Sequence, residues 1–341
     1  MTIRNEDIVM TLAGEALGQA KCDSLRAVLA PMLPPLAGDR QVVTRAQFAA
    51  ALNVVLFADL LDRVPSAAAY VEEVRTRGET ICFDHGAIRT VALLSGDTGA
   101  LPRGEQAFRR ILEPLGYEDA ALYPLPALRM TGRAYRHRDF PETIPQFFVS
   151  ELHVDRFDAV FGAAASRVFG GSRDPLDADA KAVLDRFSAS HCVPYADAAR
   201  ILPKIVSAFD RQHDLPTIED YSTLKEPSKE AAWIATEGNA FNHATDRVAN
   251  VVQLAEDQRA MGRAMKDKVE FSRTGRVRQT AFRADMVERG FVTATGEERR
   301  MMVPGSFYEF ISRDIDPETG TLDLSFDSGN ATGIFHMTKG A

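Results

Sequence analysis

Four short segments of this 341-residue chain gather side chains able to do chemistry. Asp84-His85-Gly86-Ala87-Ile88-Arg89 joins an imidazole, a glycine and a guanidinium at a strand edge. In extended chain, positions 85 and 89 face the same side, because side-chain direction has period two. A metal ligand and a carboxylate-binding fork would then share one wall, and glycine lets backbone come close to it. The plainer account is a turn histidine beside a solvated arginine. Gly238 to Arg247 is polar and rich in asparagine. His243 could ligate a metal there, with Asn239 or Asn242 orienting it. Equally, the segment could be a helix entry capped by Thr245 or Asp246. Val303 to Arg313 reads as an aromatic strand in which Glu309 shares a face with Phe307 and Ile311. A carboxylate on such a face is costly unless paired or bound to metal. Arg313, on that same face, offers an ordinary buried salt bridge. Gly132 to His153 is the densest polar segment in a strand context. Glu151 and His153 lie two apart and could be a ligand pair of their own; sheet-edge ion pairs would explain the segment as well. Spacing alone does not choose between this pair and the trio of His85, His243 and Glu309.

These segments need elements to position them. Residues 1–79 read as helices: 41–64 carries Phe48, Leu52, Val55, Leu56 and Leu60 at helical spacing and ends at Pro65, and 67–77 continues to Gly78. Strand-like runs follow at 81–83, 88–94, 120–123, 128–135 and 144–152, interrupted by a helix near 104–115. Residues 156–209 return to helix, with breaks at Gly170-Gly171-Ser172 and Pro194. A long amphipathic helix is expected at 249–265, and strands at 279–282, 299–303, 307–312 and 321–326. The mixture predicts an α+β fold with mainly antiparallel strands, not regular βαβ alternation. One catalytic domain is expected over 1–341. It divides into a helical part (1–79), a first half of sheet (80–155), a helical insertion (156–232) and a second half of sheet (233–341).

Composition removes several classes. Hydrophobic residues are 45% and charged residues 26%, as in ordinary globular proteins. The formal net charge of −8 argues against a general nucleic-acid binder. No apolar run reaches the ~18 residues of a membrane span. The first residues show no basic-then-apolar signal pattern, and Cys22, Cys82 and Cys192 form no C-x-x-C pair. A cytoplasmic enzyme is therefore the expectation. Dinucleotide, P-loop, zincin and nucleophile-elbow motifs are all missing from the sequence.

HGAIRT at 85–90, GRAYRHRDFPETIPQFFVSELH at 132–153, TEGNAFNHATDR at 236–247 and VPGSFYEFISR at 303–313 together resemble the 2-oxoadipate dioxygenase/decarboxylases, the 2-hydroxyglutarate synthases of lysine catabolism. The resemblance implies a central vicinal-oxygen-chelate-like sheet enclosing a metal site, with helical amino-terminal and inserted segments. It implies Fe(II) held by His85, His243 and Glu309, and a substrate carboxylate bound by Arg89, with Arg133, Arg136 and Arg313 as weaker candidates. It moves Glu151 and His153 to supporting roles. Two histidines and one carboxylate leave open positions on iron. A 2-oxo acid would chelate there beside O2, lose C1 as CO2 and be hydroxylated, so that 2-oxoadipate gives 2-hydroxyglutarate. The segment Gly329 to His336 is the expected closure of the pocket. The expected partners are a small dicarboxylate 2-oxo acid and O2, with neither nucleic acid nor membrane.

Two other readings stand beside this one. The same fold and metal could serve an isomerase, a ring-cleaving dioxygenase or an oxygenase of another 2-oxo acid. A non-catalytic binding protein could use Arg129, Arg133, Arg136 and Arg138 with Tyr135 on phosphates, although Asp139 and Glu142 weigh against it.

Overall fold

Residues 80–155 and 233–313 contribute to one curled sheet. The computed structural model describes residues 3–35, 37–38 and 41–326; the segment 329–336 lies outside the described residues. Eight strands build the sheet: β1 (Phe83–Ala92), β2 (Tyr117–Leu125), β3 (Met130–His137), β4 (Gln146–His153), β5 (His243–Arg247), β6 (Glu270–Phe271), β7 (Val277–Ala281) and β8 (Phe307–Arg313). Their order is β6-β7-β8-β5-β1-β4-β3-β2. Each half repeats one plan. The first strand of the half pairs in parallel with its fourth, β1 with β4 and β5 with β8. The two halves join where β1 and β5 run antiparallel. The sheet is thus mixed, with antiparallel pairs in the majority.

The two faces of the sheet have different jobs. One packs on helices α1 (Arg45–Arg63) and α2 (Pro65–Thr76). Thr44 starts α1 with a reciprocal capping box: its hydroxyl accepts from the Gln47 N–H, and the Gln47 side chain accepts from the Thr44 N–H. Pro65 then opens α2, where its missing N–H costs nothing. Phe57 of α1 lies 5.1 Å from the Phe83 ring, and Tyr70 of α2 lies 4.8 Å from Phe310. Ile88, Tyr135, Phe147 and Val149 complete this apolar face. The opposite, inward face carries His85, Ala87 and Arg89 from β1, Phe148 from β4, His243 and Thr245 from β5, and Glu309 from β8. All ten residues of β1 are buried, as expected of a central strand covered on both sides.

Several elements differ from the sequence expectation. His243–Arg247 is a strand, not a helix entry. Its polar side chains serve the site on one face and bind Tyr70 on the other, so no apolar alternation marks it. The following helix is capped by Asn250, whose side-chain oxygen accepts from Val252 and Gln253 N–H groups, and it runs only over Val251–Ala260. The 299–303 run pairs with Met286–Val292 in a hairpin outside the main sheet. Residues 321–326 join no ladder beyond an Ile315–Leu322 bridge; 322–326 instead cross the mouth of the inward face as a strap. Among the described residues, no helix is long and apolar enough to cross a membrane.

Candidate metal centre and substrate wall

His85, His243 and Glu309 converge: one ligand atom from each lies within 4.8 Å of the others, and all three side chains are buried. The register explains the convergence. His85 lies opposite Thr245, and Thr245 opposite Glu309, so three adjacent strands present their inward residues at one level. The Thr245 hydroxyl links two of the candidate ligands, 3.1 Å from His85 Nε2 and donating to Glu309 Oε1 at 3.1 Å.

A β-bulge prepares His85. Phe83 faces Asp246 while His85 faces Thr245, so Asp84 is an extra residue on β1. Bulges re-aim side chains in this way, and Asp84 turns in beside its neighbour. Its Oδ2 lies 2.8 Å from His85 Nδ1, which leaves Nε2 directed at Glu309, 3.4 Å away. Holding one ring nitrogen fixes what the other can bind. Arg313 holds Asp84 in turn, through Nε at 3.0 Å and Nη2 at 2.9 Å. Despite burial, Arg313 and His85 keep the Asp84 carboxyl well below the usual carboxylate range.

The electrostatics suit a cation. Burial disfavours a charged His85, but Asp84 and Glu309 outweigh it and raise its affinity for a proton. Burial, with help from the charges of His85 and Arg89, pushes His243 down to about 3, so that imidazole is neutral. Burial alone would protonate Glu309; His243 and His85 hold it below its ordinary value. Glu309 Oε2 is buried with no hydrogen-bond partner, a costly state unless a cation sits beside it. Two imidazoles and one carboxylate form a donor set that fits a divalent transition metal.

The repeat within the sheet shows why three ligands converge and not four. With the halves aligned on their histidines, the position equivalent to Glu309 is Phe148, opposite Ala87. Phe148 has no donor. It packs with Ala87 and Ala134, and a Cβ on Gly132 would lie 2.5 Å from its ring. One side of the candidate centre is therefore an aromatic wall.

The predicted arginines separate. Arg89 lies on the inward face, buried, with its guanidinium 5.0 Å from the Trp233 ring centroid. Burial pushes its pKa down to about 10, so it stays charged near neutrality. Arg133 lies opposite Val149 and shares its face, the one turned away from His85; it pairs with Asp119 at 3.6 Å. The pleat thus places Arg133 on the face opposite to the one that bears His85, His243 and Glu309. Arg136 pairs with Glu118 at 3.4 Å. Arg313 sits on the inward face but is committed to Asp84 and to two strap carbonyls. Glu151 and His153 also sit on the outer face, where Glu151 accepts from the Glu105 N–H. The Cys82 thiol meets Arg247 at 3.2 Å. Asp84, Thr245, Phe148 and Phe326 carry roles that sequence reasoning missed. Only Asp84, next to the histidine, offered a signal, and alternation would have sent it to the wrong face.

Comparison with known proteins agrees with this architecture. The family described as 2-oxoadipate dioxygenase/decarboxylase matches residues 50–319. A protein from Ralstonia eutropha JMP134 assigned to the glyoxalase superfamily is 50% identical, with 94% of this chain and 98% of that chain covered and a TM-score of 0.89. The hydroxyglutarate synthase of Oryza sativa, solved with 2-oxoadipate, shares the fold at 20% identity, with 91% of this chain and 97% of that one covered and a TM-score of 0.65. The Pseudomonas putida hydroxyglutarate synthase with 2-oxoadipate does so at 19% identity, covering 86% and 72%, with a TM-score of 0.56. Comparison with functionally curated proteins returns no significant match. With a convergent triad on a vicinal-oxygen-chelate sheet and a family match over most of its length, the chain belongs to the 2-oxoadipate dioxygenase/decarboxylase family.

Proposed function

We propose that this protein is an Fe(II)-dependent dioxygenase that decarboxylates 2-oxoadipate to 2-hydroxyglutarate. The observation that carries the proposal is the meeting of His85, His243 and Glu309 on the sheet face that also bears Arg89. The reaction balances: 2-oxoadipate and O2 give 2-hydroxyglutarate and CO2. C1 leaves as CO2, one atom of O2 enters the new carboxylate at the former C2, and the other becomes the hydroxyl oxygen. Iron, when bound by His85, His243 and Glu309, supplies Lewis acidity toward the 2-oxo acid and the activation of O2.

The remaining work belongs to the protein. Neutral His243 and anionic Glu309 are already in the protonation states that a ligand needs. Asp84 keeps His85 Nδ1 occupied and Nε2 aimed inward. Arg89 provides a fixed fork for one substrate carboxylate, with its guanidinium carbon over the Trp233 ring. Phe148, Tyr123 and Phe326 wall off one side; the Phe326 ring lies 4.8 Å from His85 and 5.0 Å from Phe148. Excluding water strengthens each charge interaction inside.

The 50%-identical protein of the glyoxalase superfamily favours one second reading, the same fold and metal site serving a different reaction such as an isomerisation. One experiment addresses both. Protein loaded anaerobically with Fe(II) is mixed with 2-oxoadipate or related 2-oxo acids and then given isotopically labelled O2. The expected product from 2-oxoadipate carries one labelled oxygen in a carboxylate and one in the hydroxyl. His243→Ala should lose both metal binding and turnover. Oxygen-independent turnover, or full activity in His243→Ala, would overturn the assignment.

A further inference from the structure

Arg313 joins two parts of the molecule by hydrogen bonds, in addition to the direct edge contact of the Phe326 ring with His85. On one side its Nε and Nη2 hold Asp84, which holds His85 Nδ1. On the other, its Nη1 donates to the carbonyls of Asp323 and Ser325, both at 2.8 Å. Those carbonyls belong to the strap, residues 322–326. The strap ends in Phe326, whose ring lies 5.2 Å from the Arg313 guanidinium and edge-on to His85. Gln146 adds a separate anchor, donating to the Leu324 carbonyl at 3.3 Å. The Arg313 side chain is fully buried, at 0% exposure, so its planar fork has one geometry available. A rigid fork with both ends engaged transmits a displacement, whereas a flexible ammonium would absorb it.

We propose that Arg313 is a positioning residue that couples the seating of the 322–326 strap to the alignment of His85 as a metal ligand. A seated strap fixes the guanidinium, the guanidinium fixes Asp84, and Asp84 fixes the imidazole. Release of the strap frees the guanidinium and loosens the ligand. Because coupling between two equilibria is reciprocal, a metal on His85 must also hold the strap down. The inference rests on the metal site proposed above. A salt bridge that only supports the sheet would hold Asp84 without linking it to the strap.

The test uses the full chain and Co(II) as a spectroscopic probe. Co(II) affinity is measured by chelator competition, and backbone hydrogen exchange of a peptide spanning 322–326 by mass spectrometry. In the parent protein, saturating Co(II) should slow strap exchange by ~3-fold or more. Asp84→Asn should speed strap exchange in the metal-free protein, although Asp84 does not touch the strap. Arg313→Lys should lower Co(II) affinity by ~10–100-fold, the usual effect of losing the group that supports a ligand. Gln146→Ala is the milder variant, which removes one strap anchor without touching Asp84 or Arg313. It should speed strap exchange and weaken Co(II) in proportion to the fraction of strap it releases, by at most the factor with which Co(II) slows exchange in the parent. Strap exchange unmoved by saturating Co(II) in the parent, or unmoved by Asp84→Asn, or parental Co(II) affinity in a Gln146→Ala protein whose strap exchanges at the unprotected rate, would overturn the coupling. Failure of the site itself looks different: His243→Ala would then retain parental Co(II) affinity.

Discussion

Adding one methyl group at Gly86 tests how the site is assembled, because it touches no ligand. A Cβ at Gly86 would lie 2.3 Å from Phe241 Cζ and 2.6 Å from both Cε atoms, where carbon contacts ordinarily begin near ~3.5 Å. The ring cannot easily retreat. Phe83, Phe147 and Phe209 surround it at centroid distances of 6.2, 5.8 and 6.3 Å. Its backbone is pinned as well, since the Phe241 carbonyl accepts from Ser306 at 2.8 Å and from Arg63 at 3.2 Å. Overpacking a closed core costs ~1–3 kcal/mol, and this hemmed ring places Gly86→Ala near the upper end. Phe241→Ala alone should cost ~3–5 kcal/mol through the cavity it leaves. The double variant should fall short of the sum by ~1–3 kcal/mol, because the added methyl fills space vacated by the ring. Chemical denaturation of the four proteins measures this cycle. Gly86 adjoins His85 and Phe241 lies two residues before His243, so Co(II) affinity should fall in Gly86→Ala and partly recover in the double variant. Gly86→Ala within ~0.5 kcal/mol of the parent, with metal affinity intact, would refute this account of how β1 and β5 are held in register.

Arg89→Lys keeps the cation but loses the fork; kcat/KM for a dicarboxylate 2-oxo acid should fall ~10-fold or more, with Co(II) affinity little changed and Trp233 fluorescence reporting the weaker binding. Arg133→Ala, on the far face, should change KM less than ~2-fold, and a larger effect would restore Arg133 to the site. Thr245→Val removes the hydroxyl shared by His85 and Glu309 and should weaken Co(II) ~10-fold in a folded protein; parental affinity in a chelator competition would show that the hydroxyl is dispensable. Burial pushes His137 down to about 4, and its Nδ1 accepts from the Asp139 and Phe140 N–H groups. The unfolded chain takes up that proton first, so stability is lost as pH falls from ~6.5 toward ~4, by at most ~3 kcal/mol. His137→Asn should flatten that part of the pH profile in denaturation experiments, and an unchanged slope would assign it to other groups.

The sequence by itself contained the candidate metal-binding residues and the candidate carboxylate fork. His85 and Arg89 are four apart on an extended segment, and that period alone places them on one face. Glu309 was legible as a carboxylate among apolar neighbours, and the four-motif resemblance tied it to His243. Helix α1 was legible too, because its apolar spacing and Pro65 are local signals. Other features depended on pairing between distant strands. His243–Arg247 looked like a helix entry because both its faces are polar, one for the site and one for Tyr70. Only insertion between β1 and β8 makes it a strand. Arg133 and Arg89 are the same residue type in equally promising motifs, yet strand register turns one to the aromatic core face and the other to the face that bears His85, His243 and Glu309. Asp84 beside His85 depends on a bulge, which exists only relative to the partner strand. Residue type and local period determine what chemistry is possible; which side chains meet is decided by register and bulges, and these are properties of paired strands.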